Sequence, residues 1–181
     1  MTHKAQKWRT VSSRQLLDTS GFKVYEDVVR LPNGEETRYI HTPSSANSII
    51  IIAVNDKQQL LLQREYNYPP DIIMWQLPGG SMLPGETVEA AALRELSEES
   101  GYAAHHSKVL HFFYTSNRIS DKKQFVVLCT DLYPRKLEED ADEFIDSYWV
   151  AQSEVHHMIE NGEFSNINLL AALNTWFHFK A

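Results

Sequence analysis

Three glutamates, Glu95, Glu98 and Glu99, follow one another at i, i+3 and i+4. In an α-helix that spacing places all three on one face. Like charges so placed repel one another and weaken the helix, unless the face is solvated or cations neutralise it. Hard divalent cations such as Mg²⁺ take carboxylate and carbonyl oxygens. Spacing alone therefore fits two readings, a solvated glutamate-rich surface helix and a cation site. The helix itself is well specified. Residues 87–100 contain no Gly or Pro and are rich in Ala, Leu and Glu, which predicts a helix there. Pro84 and Gly85 precede it, and Gly101 closes it as a C′ residue. Leu93 and Leu96 then point away from the acids, toward a core.

The flanking residues add to this pattern. Gly80, Glu86, Arg94, Glu95, Leu96, Glu98, Glu99, Gly101 and Tyr102 stand in a fixed order. It runs glycine, five residues, Glu, seven residues, then Arg-Glu-apolar-x-Glu-Glu-x-Gly-apolar. This segment resembles the Nudix box, with Tyr102 aromatic where an aliphatic is usual. Nine matched positions within 23 residues are far more specific than a lone three-glycine fingerprint. The resemblance implies a loop–helix–loop that holds divalent cations, Mg²⁺ or Mn²⁺, on a diphosphate. It implies Glu95 and Glu99 as metal ligands and Glu98 as a ligand or its close partner, with the Gly79 carbonyl adding another. Glu86 and Arg94 read as an ion pair that fixes loop to helix, while Gly80 and Gly85 permit the tight backbone. Glu98, Glu99 and Arg94 form the expected catalytic set within the box. A bound cation would neutralise the diphosphate and lower the pKa of the attacking water.

Other elements must position that segment. Residues 21–31 are rich in β-formers, Pro32-Asn33-Gly34 signals a turn, and 36–42 would return as the second strand of a hairpin. Residues 48–54 form a short continuous apolar run, as in a strand buried on both faces. Residues 59–66 form a returning strand that Pro69-Pro70 breaks. Further strands are expected at 109–114, 124–132 and 144–150, and helices at 152–160 and 166–178. Strands and helices mix without strict βαβ alternation, which predicts an α+β class. With the resemblance this becomes a Nudix-type α/β/α sandwich with a mixed central sheet. An N-terminal β extension over 1–47 would precede a Nudix domain over 48–181.

The likeness extends more weakly along most of the chain, to ADP-ribose pyrophosphatases and related nucleoside-diphosphate-sugar hydrolases. The N-terminal hairpin, Gln63-Arg64-Glu65-Tyr66-Asn67-Tyr68-Pro69 and Trp75-Gln76-Leu77-Pro78-Gly79-Gly80 carry it. It implies Arg64 facing the substrate phosphates and Trp8 stacking on the base, with Tyr25 or Tyr39 beside it. It also implies a homodimer in which the hairpin covers the partner's site. Three departures stand out. Asn67 replaces a second Arg, and Ser116-Asn117-Arg118 replaces a Pro-Gly turn. Lys122 aligns where relatives offer a catalytic Glu. A protonated lysine, with a reference pKa of about 10.4, cannot accept a proton. Either Asp121 or an acid of the box would then be the base, and Arg118, Lys122 and Lys123 could contact sugar or phosphates.

Composition sets the outer limits. The chain has 181 residues, 43 % of them hydrophobic and 23 % charged, as in an ordinary single globular domain. Its net charge of −7 argues against a non-specific nucleic-acid binder. That charge is concentrated. Residues 80–102 sum to −4, 138–146 to −6 and 103–137 to +4, so a proposed cation site, a solvated acidic loop and a basic stretch stand apart. A single cysteine, Cys129, excludes an internal disulfide. The eight histidines are not clustered at transition-metal spacing. No signal-peptide or membrane-length apolar run is seen, so a soluble, cytoplasmic protein with no membrane or nucleic-acid partner is expected. The leading expectation for activity is metal-dependent hydrolysis of nucleoside diphosphate sugars, ADP-ribose first, to AMP and ribose 5-phosphate. The alternatives are a pyrophosphatase of modified nucleoside triphosphates and a non-catalytic nucleotide-sugar sensor.

Overall fold

A computed structural model of the chain describes residues 5–135 and 144–179. The acidic stretch at 138–143 lies outside the described residues. The chain divides into two compact units, residues up to 45 with 114–122, and 46–113 with 123 onward.

The first unit is an antiparallel sheet of β1 (Arg9–Thr19), β2 (Phe22–Arg30) and β3 (Glu36–His41), in that order. The β2–β3 turn forms where Pro32-Asn33-Gly34 predicts it. Leu31 N–H donates to the Glu35 carbonyl at 2.8 Å and Gly34 N–H to that of Leu31 at 2.9 Å. Arg30 pairs with Glu36 across the hairpin at 2.7 Å. β1 was not expected, and every one of its residues is exposed. Its sequence lacks the apolar alternation that marks a half-buried strand. Val11, Leu16 and Leu17 remain about half exposed.

The second unit is built around β4 (Ser48–Ala53), which is buried along its whole length. It pairs in parallel with β8 (Lys123–Pro134), Ile51 opposite Val127, and β8 is flanked in turn by β7 (Tyr102–Tyr114). A continuous apolar run is what a parallel strand covered on both faces requires. Successive β4 side chains serve opposite layers. Ile49, Ile51 and Ala53 pack with Ala91, Ala92 and Leu96 of α1 (Val88–Ser100). Ile50 and Ile52 pack with Leu169, Leu173 and Trp176 of α3 (Ile167–Phe179), and with Val155 and Met158 of α2 (Gln152–Glu160). The expected α/β/α layering is thus realised in this unit. A second sheet places β5 (Gln59–Asn67) between β6 (Ile72–Gln76) and β9 (Ile145–Ala151), antiparallel to both.

β7 begins seven residues earlier than 109. Residues 102–108 are Ala-, His- and Lys-rich, weak strand formers by propensity, but Ala103 and Ala104 are buried, so packing outweighs propensity there. Cys129 is fully buried among Ile and Val neighbours, and burial pushes its thiol up to about 12. Among the described residues no helix is long and apolar enough to cross a membrane.

Leu96 is the fully buried anchor of α1 on β4. Leu96→Ala should cost about 2–5 kcal/mol in urea unfolding. Leu93→Ala, at a partly buried position, should cost less than half of that.

Candidate functional site

The loop ahead of α1 is held as if it were another strand on β4. Ile51 N–H donates to the Pro78 carbonyl at 2.8 Å, Ile49 N–H to that of Gly80 at 2.9 Å, and Met82 N–H to that of Asn47 at 3.0 Å. Gly79 lies between the two bonded carbonyls and turns its N–H the other way, to Glu99 Oε2 at 3.2 Å. Only glycine fits there. Its φ is +154°, and a Cβ would come within 2.3 Å of the Ile49 carbonyl oxygen. At Gly80 a Cβ would meet Glu95 Oε1 at 2.3 Å and push that carboxylate aside. The Glu95 carboxylate therefore lies directly against the loop backbone.

The helix that carries the acids is capped at both ends. Thr87 Oγ1 accepts from Ala90 N–H at 3.2 Å. Gly101 takes the left-handed conformation at φ 72° and donates to Ser97.

Arg94 links loop and helix. Its Nε donates to Glu86 Oε1 at 3.0 Å, and its Nη2 to Glu86 Oε2 and the Ser81 carbonyl, both at 3.1 Å. Its Nη1 lies 2.9 Å from Glu95 Oε1 and 2.9 Å from Glu98 Oε2. Glu86 in turn accepts from Leu83 N–H at 2.9 Å. The bond to Arg94 holds the Glu86 carboxyl below the usual carboxylate range, with burial opposing and Leu83 N–H adding. The same bond, against burial and with help from Glu95 and Glu98, pushes the Arg94 guanidinium up.

Glu86, Glu95 and Glu98 meet one arginine and Glu99 the Gly79 N–H, so the group of four acids and one arginine keeps a formal surplus of negative charge. All its donors to a cation would be hard oxygens, which fits Mg²⁺ or Mn²⁺. Among the described residues, however, no three acidic, His or Cys side chains converge as ligands. Arg94 Nη1 binds Glu95 and Glu98 here and offsets part of their charge. A divalent cation would have to compete with that guanidinium for both carboxylates.

The structure thus brings Gly79, Gly80, Glu86, Arg94, Glu95, Glu98 and Glu99 into one network, with Gly101 closing the helix beneath it. Arg64, in the same unit, is exposed on β5 and stacks over Trp75 at 5.4 Å. Trp8, Arg118, Asp121 and Lys122 belong to the other unit. Trp8 is 51 % exposed and meets Tyr39 edge-on at 6.0 Å. Tyr25 stacks on His41 at 5.9 Å instead.

That first unit holds a cavity of about 400 Å³ lined by Asp27, Tyr39, His41, Arg118 and Asp121, among others. Asp27 Oδ2 lies 3.1 Å from His41 Nε2, while Asp27 Oδ1 is buried with no hydrogen-bond partner among the described residues. Neither Asp27 nor His41 stands out in the sequence. Their pairing depends on a cross-strand register of β2 and β3 that leaves no local motif. Ser81 carries no sequence signal either, because it acts through its backbone carbonyl, which residue type does not reveal.

The family model "NUDIX domain" matches residues 45–173. The ADP-ribose pyrophosphatase of Bacillus subtilis (strain 168) is 28 % identical over 162 residues, 88 % of this chain and 87 % of that one. The ADP compounds hydrolase NudE of Escherichia coli (strain K12) is 28 % identical over 137 residues, 74 % and 73 % of the two chains. A solved structure titled as an ADP compounds hydrolase superposes with a TM-score of 0.90 at 24 % identity, covering 98 % of this chain and 96 % of that one.

The lowered Glu86 carboxyl sets a pH dependence. A group whose folded pKa lies below its unfolded value stabilises the fold above the unfolded value, about 4.3, and loses that contribution as pH falls through the folded one. The stability advantage of the wild type over Glu86→Gln should therefore shrink between about pH 5 and pH 3. Urea unfolding of both proteins at stepped pH measures it. An advantage that stays constant across that window would remove the charged Glu86–Arg94 pair as a source of stability.

Proposed function

The chain belongs to the Nudix family, and from that membership we propose that it hydrolyses the diphosphate bridge of nucleoside diphosphate sugars, ADP-ribose foremost. It is a pyrophosphohydrolase by family and by its curated relatives. In the proposed reaction the oxygen of water bonds to one phosphorus as the bridging P–O bond breaks. ADP-ribose then yields AMP and ribose 5-phosphate. The observation that carries this reading is the gathering of Glu86, Glu95 and Glu98 on one guanidinium, with Glu99 on the Gly79 N–H.

Glu95, Glu98, Glu99 and the Gly79 carbonyl would hold Mg²⁺ or Mn²⁺, which supplies neutralisation of the diphosphate and a more acidic attacking water. The chain's own groups do the rest. Arg94 fixes the loop through Glu86 and restrains Glu95 and Glu98. An acid of the box, Glu98 or Glu99, takes the proton from the attacking water. Arg64, Arg118 and Lys122 are offered to the phosphates and sugar, and Trp8 to the base. A reducing compartment, the cytoplasm, suits a chain whose one cysteine is a buried, protonated thiol.

The N-terminal hairpin supports nucleotide sugars over modified triphosphates. A substrate panel should show AMP released from ADP-ribose with Mg²⁺, and slower turnover of triphosphates. Glu99→Gln should lower kcat by roughly 100- to 10,000-fold and abolish the Mg²⁺-dependent rise in Tm that ligand linkage gives the wild type. Full activity with an unchanged Mg²⁺ response would dismiss Glu99 as a ligand.

The exposed β1 supports a homodimer through the first unit. Val11, Leu16 and Leu17 are 45–46 % exposed on an edge strand, a surface that soluble monomers tend to protect. Light scattering should find a dimer in the wild type and a monomer in a Val11→Asp/Leu17→Asp variant. A dimer that survives both charges would place the interface elsewhere.

A further inference from the structure

The segment 114–122 joins β7 to β8, two strands of the second unit, yet its own contacts assign it to the first. Its internal bonds close it on itself. Thr115 N–H donates to the Lys122 carbonyl at 3.4 Å, and Ile119 and Ser120 N–H both donate to that of Ser116 at 2.9 Å. Its anchors lie on β3 and the residues that follow it. Thr42 N–H donates to the Ile119 carbonyl at 2.7 Å and Thr42 Oγ1 to the same oxygen at 3.2 Å. The Tyr39 hydroxyl donates to the Arg118 carbonyl. Ser44 N–H donates to Asp121 Oδ1 at 2.8 Å. The last is the one with a charged acceptor, and charge-assisted bonds are the stronger kind. Ile119, the apolar residue of the loop, is half exposed, so these bonds rather than apolar burial determine where the loop lies.

We propose that Asp121 is a positioning residue of the hydrolase and not its base. Its carboxylate fastens the loop that carries Arg118 and Lys122 by accepting the Ser44 N–H. This rests on the hydrolase reading above for what the loop presents to substrate. The fastening itself rests on geometry alone. An oxygen whose task is to accept from a backbone N–H is replaceable by an amide oxygen, whereas a base is not.

Asp121→Asn and Asp121→Ala in the full chain test it, with amide hydrogen exchange of 115–122, steady-state kinetics on ADP-ribose with Mg²⁺, and the pH profile. Asp121→Ala should speed exchange in the loop by about tenfold or more. It should raise KM several-fold while kcat stays within about threefold, the pattern of lost positioning. Asp121→Asn should restore exchange, KM and pH profile to near wild type. Equal loss of kcat by about 100-fold or more in both variants, with the acidic limb of the profile gone, would make Asp121 the base and overturn the proposal. Unchanged exchange in Asp121→Ala would overturn it from the other side. If the wild type turned over no nucleotide sugar, the hydrolase reading would fall, and the exchange arm would still decide the fastening.

Discussion

One guanidinium carries the organisation of the candidate site. Arg94 spends all three of its nitrogens on the box: two on the Glu86 carboxylate, one of them also on the Ser81 carbonyl, and the third on Glu95 and Glu98. A planar fork of fixed donors can bind one carboxylate at two points and still reach others, which a lysine cannot. The bond to Glu86 ties the loop to the helix. The contacts to Glu95 and Glu98 make it thermodynamically tolerable to keep three acids on one helical face. The same residue thus ties loop to helix and holds two of the three acids, so a carboxylate that turned toward a cation would have to leave Arg94.

β4 makes that arrangement possible. It is buried on both faces and bonded on both edges, to β8 and to the loop 78–82. A loop bonded into a sheet edge has little freedom, and Gly79 is there because the backbone of β4 leaves no space for a side chain. The rigid part of the site is thus backbone, and its adjustable part is carboxylate.

Much of this was legible in the sequence wherever the signal was local. The i, i+3, i+4 acids, the Gly101 stop, the Asn-Gly turn and the apolar run at 48–54 each follow from side-chain period or backbone preference within a few residues. What escaped had no local signature. β1 exposes all its residues, so no apolar pattern marks it. The start of β7 is set by the burial of Ala103 and Ala104, against their propensity. The bonds from 39–44 to 118–121 join residues nearly eighty positions apart and use mostly backbone atoms, which residue identity does not encode. The box was visible because its ion pairs lie within one loop and one helix.

The loop 114–122 has a consequence for synthesis. The sheet of β1, β2 and β3 is made before β4 to β9, and its hairpin turn is local, but its compact unit includes residues that follow two thirds of the way along the chain. Closing so long a connection carries an entropic cost that short hairpins avoid, and non-local contacts of this kind slow folding. On the ribosome β1, β2 and β3 would emerge with the Ser44 and Thr42 amides still bonded to water. They gain their final partners only after β4, α1 and β7 have been made. The earlier-made sheet is thereby finished only after much of the second unit has been made.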